Sequence, residues 1–361
     1  MRVLHLNDIA NVGYTLVGEL RRIGVDAELL LFNTRKKKTL RVNQDTTSYT
    51  LSLKPSISSI PLFIKKLREK WSLVHVHYLY KYAYLLAALP QKYLLHIHGS
   101  DIKLAASPRN ILDALNIKPK KYTIKRAKAV IVSTPNLTKY VESIGVDKEV
   151  EYVPNPVDTE FFSPTSSTRY RELFEELHSG VDLLITSPLS VNFSAKGQDL
   201  LLKVIATMDK NKLVNSYRLL LSRRGPDFHK LLPLIDKLNL RSKIRFIEPI
   251  PNSKIPGLYA VSDIVVPALS RSHVFGVTAL EAMACRKPVV NTWHKKYYGE
   301  TGFPQILYSE KSLGKILGLI SSDTRYRREL AQQQMQWVTR NYSSSIIATR
   351  LLKIYKDILG Y

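Results

Sequence analysis

Short, unbroken apolar runs alternate with amphipathic stretches along the chain. Val3 to Leu6, Val25 to Phe32, Leu73 to His77, Tyr93 to His98 and Ala129 to Ser133 read as strands. Between them, the stretch ending at Gly24, Ile60 to Lys70 and Ile111 to Leu115 have helical spacing. The pattern resumes with strand Leu183 to Ser187, helix Gln198 to Met208, strand Ile264 to Val266 closed by Pro267, and helix Val277 to Cys285. Continuous apolar runs, not alternating ones, mark parallel strands covered on both faces, and their alternation with helices predicts an α/β class of doubly wound sheets. The proline-rich Val153 to Pro164 reads as a linker between two such halves, and Tyr342 to Leu359 as a terminal helix.

Within this frame, Gly276 sits at the joint between a strand end and the Val277 helix. The first-turn N–H groups of a helix lack intrahelical acceptors, so its start is an anion site, and a glycine there lets a ligand reach the backbone. Glu281 lies one helical turn on, roughly 6 Å along the axis, placed to accept from ribose hydroxyls. Gly13, after the first strand, reads equally as a ligand turn or a plain turn glycine. It is no GxGxxG fingerprint, which leaves a nicotinamide enzyme unsupported. His75 and His77, and likewise His96 and His98, alternate along strands and so share a face. Without a third ligand at zinc-like spacing, a metal is disfavoured, and Asp101 reads as capping the helix that follows.

Composition narrows the classes. The 361 residues are long enough for two cores, and one cysteine, Cys285, excludes an intrachain disulfide and reads as a packed apolar side chain. No run is long enough to cross a membrane, and Asn7 and Asp8 interrupt the apolar start, which therefore reads as a strand and not a signal peptide. Lys and Arg number 54 against 30 Asp and Glu, a net charge of +24 spread over both halves. Such a surface suits anionic lipid or phosphorylated substrates. Its clusters are Arg35 to Lys38, Lys65 to Lys70 and Lys118 to Lys128, each also readable as a solvated face. Nucleic acid is disfavoured by the lack of an RNA-reading aromatic motif.

Phe275 to Val290, FGVTALEAMACRKPVV, resembles the donor-site segment of the retaining nucleotide-sugar glycosyltransferases of group 1, family 4-like, which have the GT-B fold. The resemblance implies two Rossmann-like domains facing each other across a cleft: 1–158 on the acceptor side, 159–340 binding the donor, and 341–361 crossing back. In that family two glutamates flank seven residues; Glu281 matches the second, which holds the ribose, while His273 stands where the first touches the sugar. His98 in HGSD resembles the family's histidine under the donor sugar, and Lys196-Gly197 its diphosphate-binding pair. The family's second basic residue is replaced by Pro188, leaving Arg223 or Arg224 to supply that charge, and Pro156 stands at a usual linker glycine. Asp158 to Glu160, DTE, is taken as a chance likeness to a metal-binding acidic motif, and the base is expected near Glu248 to Ile250.

The implied catalytic residues are thus His98, His273 and Lys196. The substrate-binding set is Gly13, Phe275, Gly276, Val277, Thr278, Glu281 and Arg224. The expected reaction moves a hexose from a nucleoside diphosphate sugar, a co-substrate and not a cofactor, to an acceptor hydroxyl, with retention and without metal. Family acceptors are often lipid-linked, so a cytoplasmic protein peripheral on the inner membrane face is expected. The alternative from another class is a non-catalytic binding protein on the same scaffold, contacting nucleic acid or membrane. A sugar-nucleotide epimerase or a phosphorylase shares the architecture.

Overall fold

The computed structural model describes residues 1–32, 50–53, 57–79, 81–108, 110–212, 214, 216–269, 275–291 and 310–361. The chain forms two compact units, Met1–Pro156 with Ser344–Tyr361, and Val157–Ser343.

The first unit holds seven parallel strands: β1 (Arg2–Leu6), β2 (Asp26–Phe32), β3 (Thr50–Leu53), β4 (Leu73–His77), β5 (Tyr93–Ile97), β6 (Ala129–Val132) and β7 (Val150–Tyr152). They lie in the order β3-β2-β1-β4-β5-β6-β7. The order reverses direction between β1 and β4, and in open α/β sheets ligands bind outside the carboxyl ends of the strands at such a switch. On one face Leu4, Leu6, Val74, Val76, Leu95 and Ile97 enter the core. On the other, register sets His5 beside His75 and His77 beside His96. The last helix, Ser344–Leu359, belongs to this unit: Ser344 donates to Glu19 at 3.1 Å and Arg350 pairs with Glu151 at 2.8 Å.

In the second unit β8 (Leu183–Ser187), β9 (Tyr217–Ser222), β10 (Ile244–Ile247) and β11 (Ile264–Val265) are parallel in the order β10-β9-β8-β11. Their switch falls between β8 and β11. Beyond β11, Val289 bridges Val265, and the Gln334 side chain holds both the N–H and the carbonyl of Val289, at 2.7 and 3.0 Å.

The expected terminal helix, Tyr342 to Leu359, is present as Ser344–Leu359; Tyr342 closes the helix before it, Thr324–Tyr342, and the extended backbone of Ser343 separates the two. β3, β7 and β10 carry polar residues within short runs, so apolar continuity does not reveal them. Asp158 accepts from the backbone N–H groups of Glu160 and Phe161, an ordinary turn cap within the DTE segment. Two cations of the basic clusters serve the fold itself. Lys66 pairs with Glu28 at 2.7 Å and Glu69 at 2.9 Å, and buried Lys120 donates to the Asp101 carbonyl at 3.0 Å. Arg35 to Lys38 lie outside the described residues. Among the described residues no helix is long and apolar enough to cross a membrane.

Candidate active site

In the second unit the loops leaving β8 and β11 are fastened together by backbone. The Leu269 N–H donates to the Lys196 carbonyl at 2.8 Å. Gly197 has φ +68°, and a Cβ there would stand 2.5 Å from the Leu269 carbonyl oxygen, so the Lys-Gly pair requires glycine for both conformation and space. The loop from β9 joins in: the Val191 N–H donates to the Arg224 carbonyl at 2.7 Å. These contacts set Lys196, the exposed Arg224 and the strand end before Gly276 around one switch point.

Lys196 is half-buried, and desolvation lowers its pKa. Among the described residues it has no carboxylate partner, so its charge has given up water without receiving an anion. Helix Val277–Ala284 starts at Gly276, which is exposed and has no side chain with which to cap this end. Gly276 has ordinary extended backbone, and a Cβ on it would meet nothing within 4 Å among the described residues. Among the described residues, neither strain nor crowding requires glycine there.

Val277 and Thr278 are half-buried at this helix start, and Glu281 is buried one turn below. The Phe275 ring turns inward against Trp337, with centroids 5.6 Å apart, leaving its backbone as the part that can meet a ligand. Arg223 is paired with Glu248 at 3.4 Å, and both side chains are exposed. Cys285 is buried, and burial first, then Glu281, push its thiol well above the usual range. His273 lies outside the described residues.

The first unit's switch point is built differently. The helix start after β1 already holds an anion of the protein's own: the Asp8 carboxylate accepts from the N–H groups of Asn11, Gly13 and Tyr14, at 3.2, 2.9 and 3.4 Å. Gly13 is buried within that turn, where a Cβ would stand 2.9 Å from the Asn7 carbonyl oxygen. Its smallness is therefore used by the loop packed on it. Asp101, expected as a cap, chiefly bonds backwards, accepting from Gly99 N–H at 2.8 Å, Leu79 N–H at 3.1 Å and His98 N–H at 3.4 Å. It thereby clamps the turn that presents His98.

His98 is half-buried at the carboxyl end of β5, and its Nε2 lies 3.3 Å from His77 Nδ1. Burial lowers the pKa of His5 and of His98 to about 3, and burial together with neighbouring rings keeps those of His75, His77 and His96 well below the usual value. All five are neutral near pH 7. Spacing along the chain gave no third ligand, yet the sheet supplies one: His5, His75 and His77, and again His77, His96 and His98, bring ligand atoms within 4.8 Å of one another. His5 comes from β1, and Tyr355, whose hydroxyl is 2.5 Å from His75, from the last helix. Sequence separation hid both.

Residues 188–300 match the model described as Glycosyl transferases group 1, and residues 9–161 that of Glycosyltransferase Family 4. The chain belongs to the group 1 glycosyltransferases of GT-B fold. This glycosyltransferase is 23% identical, over 81% of its length and 76% of the other's, to the N-acetyl-alpha-D-glucosaminyl L-malate synthase of Bacillus anthracis. It is 26% identical to the D-inositol 3-phosphate glycosyltransferase of Corynebacterium glutamicum, over 58% of its own length and 52% of that protein. In fold it is similar to sucrose-phosphate synthase from Thermosynechococcus elongatus, TM-score 0.75 at 17% identity with both chains fully covered. It is also similar to Anabaena HepE solved with UDP, TM-score 0.74 at 18% identity, covering 99% of this chain and 100% of that one.

Proposed function

We propose that this glycosyltransferase moves a hexose from a nucleoside diphosphate sugar to an acceptor hydroxyl with retention of configuration and without a metal ion. The observation that carries this reading is the pairing, at one switch point, of a helix start at an exposed glycine, Gly276, with a desolvated lysine that has no carboxylate partner among the described residues. Negative charge grows on the diphosphate as the glycosidic bond breaks. Fixed N–H groups and a lysine held away from water stabilise that charge without reorganising. Glu281, one turn below the helix start, is assigned to the ribose, Thr278 and Val277 to the phosphate contacts, and His98 to the sugar side. Anabaena HepE has been solved with UDP-glucose, which favours a nucleoside diphosphate hexose as donor.

A lipid-linked acceptor is part of the same reading. Ile111, Leu115 and Tyr122 are exposed in a stretch that also exposes Lys118, Lys125 and Arg126, the combination that seats apolar side chains in a bilayer surface and cations on anionic headgroups. The test is a panel of UDP-, GDP- and ADP-sugars with soluble and vesicle-borne acceptor alcohols, assayed with chelator present. Transfer with retained anomeric configuration is expected, faster to the vesicle-borne acceptor. Neither transfer nor donor hydrolysis across the panel would favour a non-catalytic binding protein.

A further inference from the structure

The five histidines on the β1, β4 and β5 face meet head to tail. His98 Nε2 is 3.3 Å from His77 Nδ1, and His77 Nε2 is 3.0 Å from His5 Nδ1. His5 Nε2 is 3.3 Å from the Tyr355 hydroxyl, which is 2.5 Å from His75 Nδ1, and His75 Nε2 is 3.3 Å from His96 Nδ1. Every link thus runs from the Nε2 of one ring to the Nδ1 of the next, once through a hydroxyl that accepts on one side and donates on the other.

A neutral imidazole carries one N–H and one lone pair, so a link forms only when one partner brings the proton and the other does not. A proton on His98 Nε2 therefore requires His77 to carry its own on Nε2, and the requirement passes through Tyr355 to His96. Fully bonded arrangements number two: every ring protonated on Nε2, or every ring on Nδ1. Mixed tautomers set two lone pairs or two N–H groups against each other in a buried face, where an unmade hydrogen bond leaves a desolvated polar atom uncompensated.

The chain's ends decide between the two. Neither outward nitrogen, His98 Nδ1 or His96 Nε2, has a hydrogen-bond partner among the described residues, nor has Asn155 Oδ1; the Asn155 side chain acts on His98 and the Val153 backbone on His96 electrostatically. The Val153 N–H is already given to the Val132 carbonyl at 3.0 Å, so Val153 offers His96 only a carbonyl, which accepts. The Asn155 amide can turn either its oxygen or its NH2 toward His98. We propose that His5, His75, His77, His96 and His98 share a single tautomer, all Nε2–H, locked through Tyr355, so that His98 turns a buried Nδ1 lone pair toward the Asn155 side chain. His5 and Tyr355 are then positioning residues. The arrangement is a lock and not a wire, because the Val153 end has no base to take a proton onward. Neither ring nitrogen of His98 then supplies a proton to a substrate: the Nε2–H is given to His77, and Nδ1 is buried without one.

Long-range proton–nitrogen correlation spectra of the full chain labelled with 15N-histidine test this directly, with no donor or acceptor needed. Five rings are expected to share the Nε2–H pattern and to keep it as the pH is lowered to about 6, the range in which exposed histidines titrate. Tyr355→Phe removes the bridging hydroxyl and is expected to bring out an Nδ1–H population at His98, three links away, whereas a packing role would move only His5 and His75. Mixed tautomers among the five rings of the unsubstituted protein, including the pattern of a ring ligated to a metal ion, would overturn the proposal even if the variant fails to fold. Loss or retention of transferase activity bears on the functional reading alone.

Discussion

Acidification from neutral to about pH 5 is expected to lower the thermal midpoint of this glycosyltransferase steeply, through the buried histidines of the first unit. Unfolded, each histidine titrates near 6.5; folded, His5 and His98 stay neutral down to about 3. Below 6.5 the unfolded chain binds protons that the folded one refuses, so stability present at neutral pH is lost as the pH falls toward 3. At about pH 5 each of the two accounts for about 2 kcal/mol, and His75, His77 and His96 add losses of the same sign. A domain stable by 5–15 kcal/mol cannot absorb that unchanged. Asp101 opposes the trend, because burial raises its pKa and its protonation in acid relieves the folded state, but it is one group against five. Melts of the full chain followed by circular dichroism at successive pH values provide the check. A midpoint constant from neutral to about pH 5 would contradict the buried neutral cluster.

The second large effect is expected at Gly225. Its φ is +133°, a region almost closed to residues with a side chain, and a Cβ would lie 2.2 Å from the Val191 carbonyl oxygen and 2.3 Å from its nitrogen. Both atoms are backbone and cannot turn aside. Gly225→Ala must break the Val191–Arg224 hydrogen bond that ties the β8 and β9 loops. Backbone strain, the lost bond and the displaced loop together are expected to cost about 3 kcal/mol or more, with much weaker nucleotide binding because the segment carrying Lys196 moves too. Gly197→Ala should show a smaller version of both effects. Denaturant titration of the variant is the check, and a midpoint matching the parent would show that the loops are not fastened as described.

What the sequence made legible follows from how each signal is encoded. Central parallel strands announce themselves as unbroken apolar runs, and Leu183–Ser187 begins and ends where that run does. The Gly276 helix start and the Lys196-Gly197 pair are local, each a strand end, a glycine and a helix, and the sheet order, with β11 beside β8, brings both to one switch point. Edge strands such as Val150–Tyr152 carry no such run, since one side of an edge needs no apolar cover.

The histidine chain was half visible. Alternation showed that His75 shares a face with His77, and His96 with His98, but only the sheet order places β1 beside β4 and so adds His5. Tyr355 arrives from a helix 280 residues after His75, a distance no local pattern spans. Gly13 shows the opposite failure. A turn glycine after a first strand reads alike whether a ligand or the protein's own Asp8 occupies the helix start.

Calorimetric titration of UDP, GDP and ADP into the parent protein and into Lys196→Ala tests the central claim most directly, that a diphosphate rests at the Gly276 helix start beside Lys196. At least one nucleotide is expected to bind the parent, and the variant to bind it about 10- to 100-fold more weakly, the loss of one charge-assisted hydrogen bond. An unchanged Kd for a nucleotide that binds the parent, or no binding of any of the three, would contradict it.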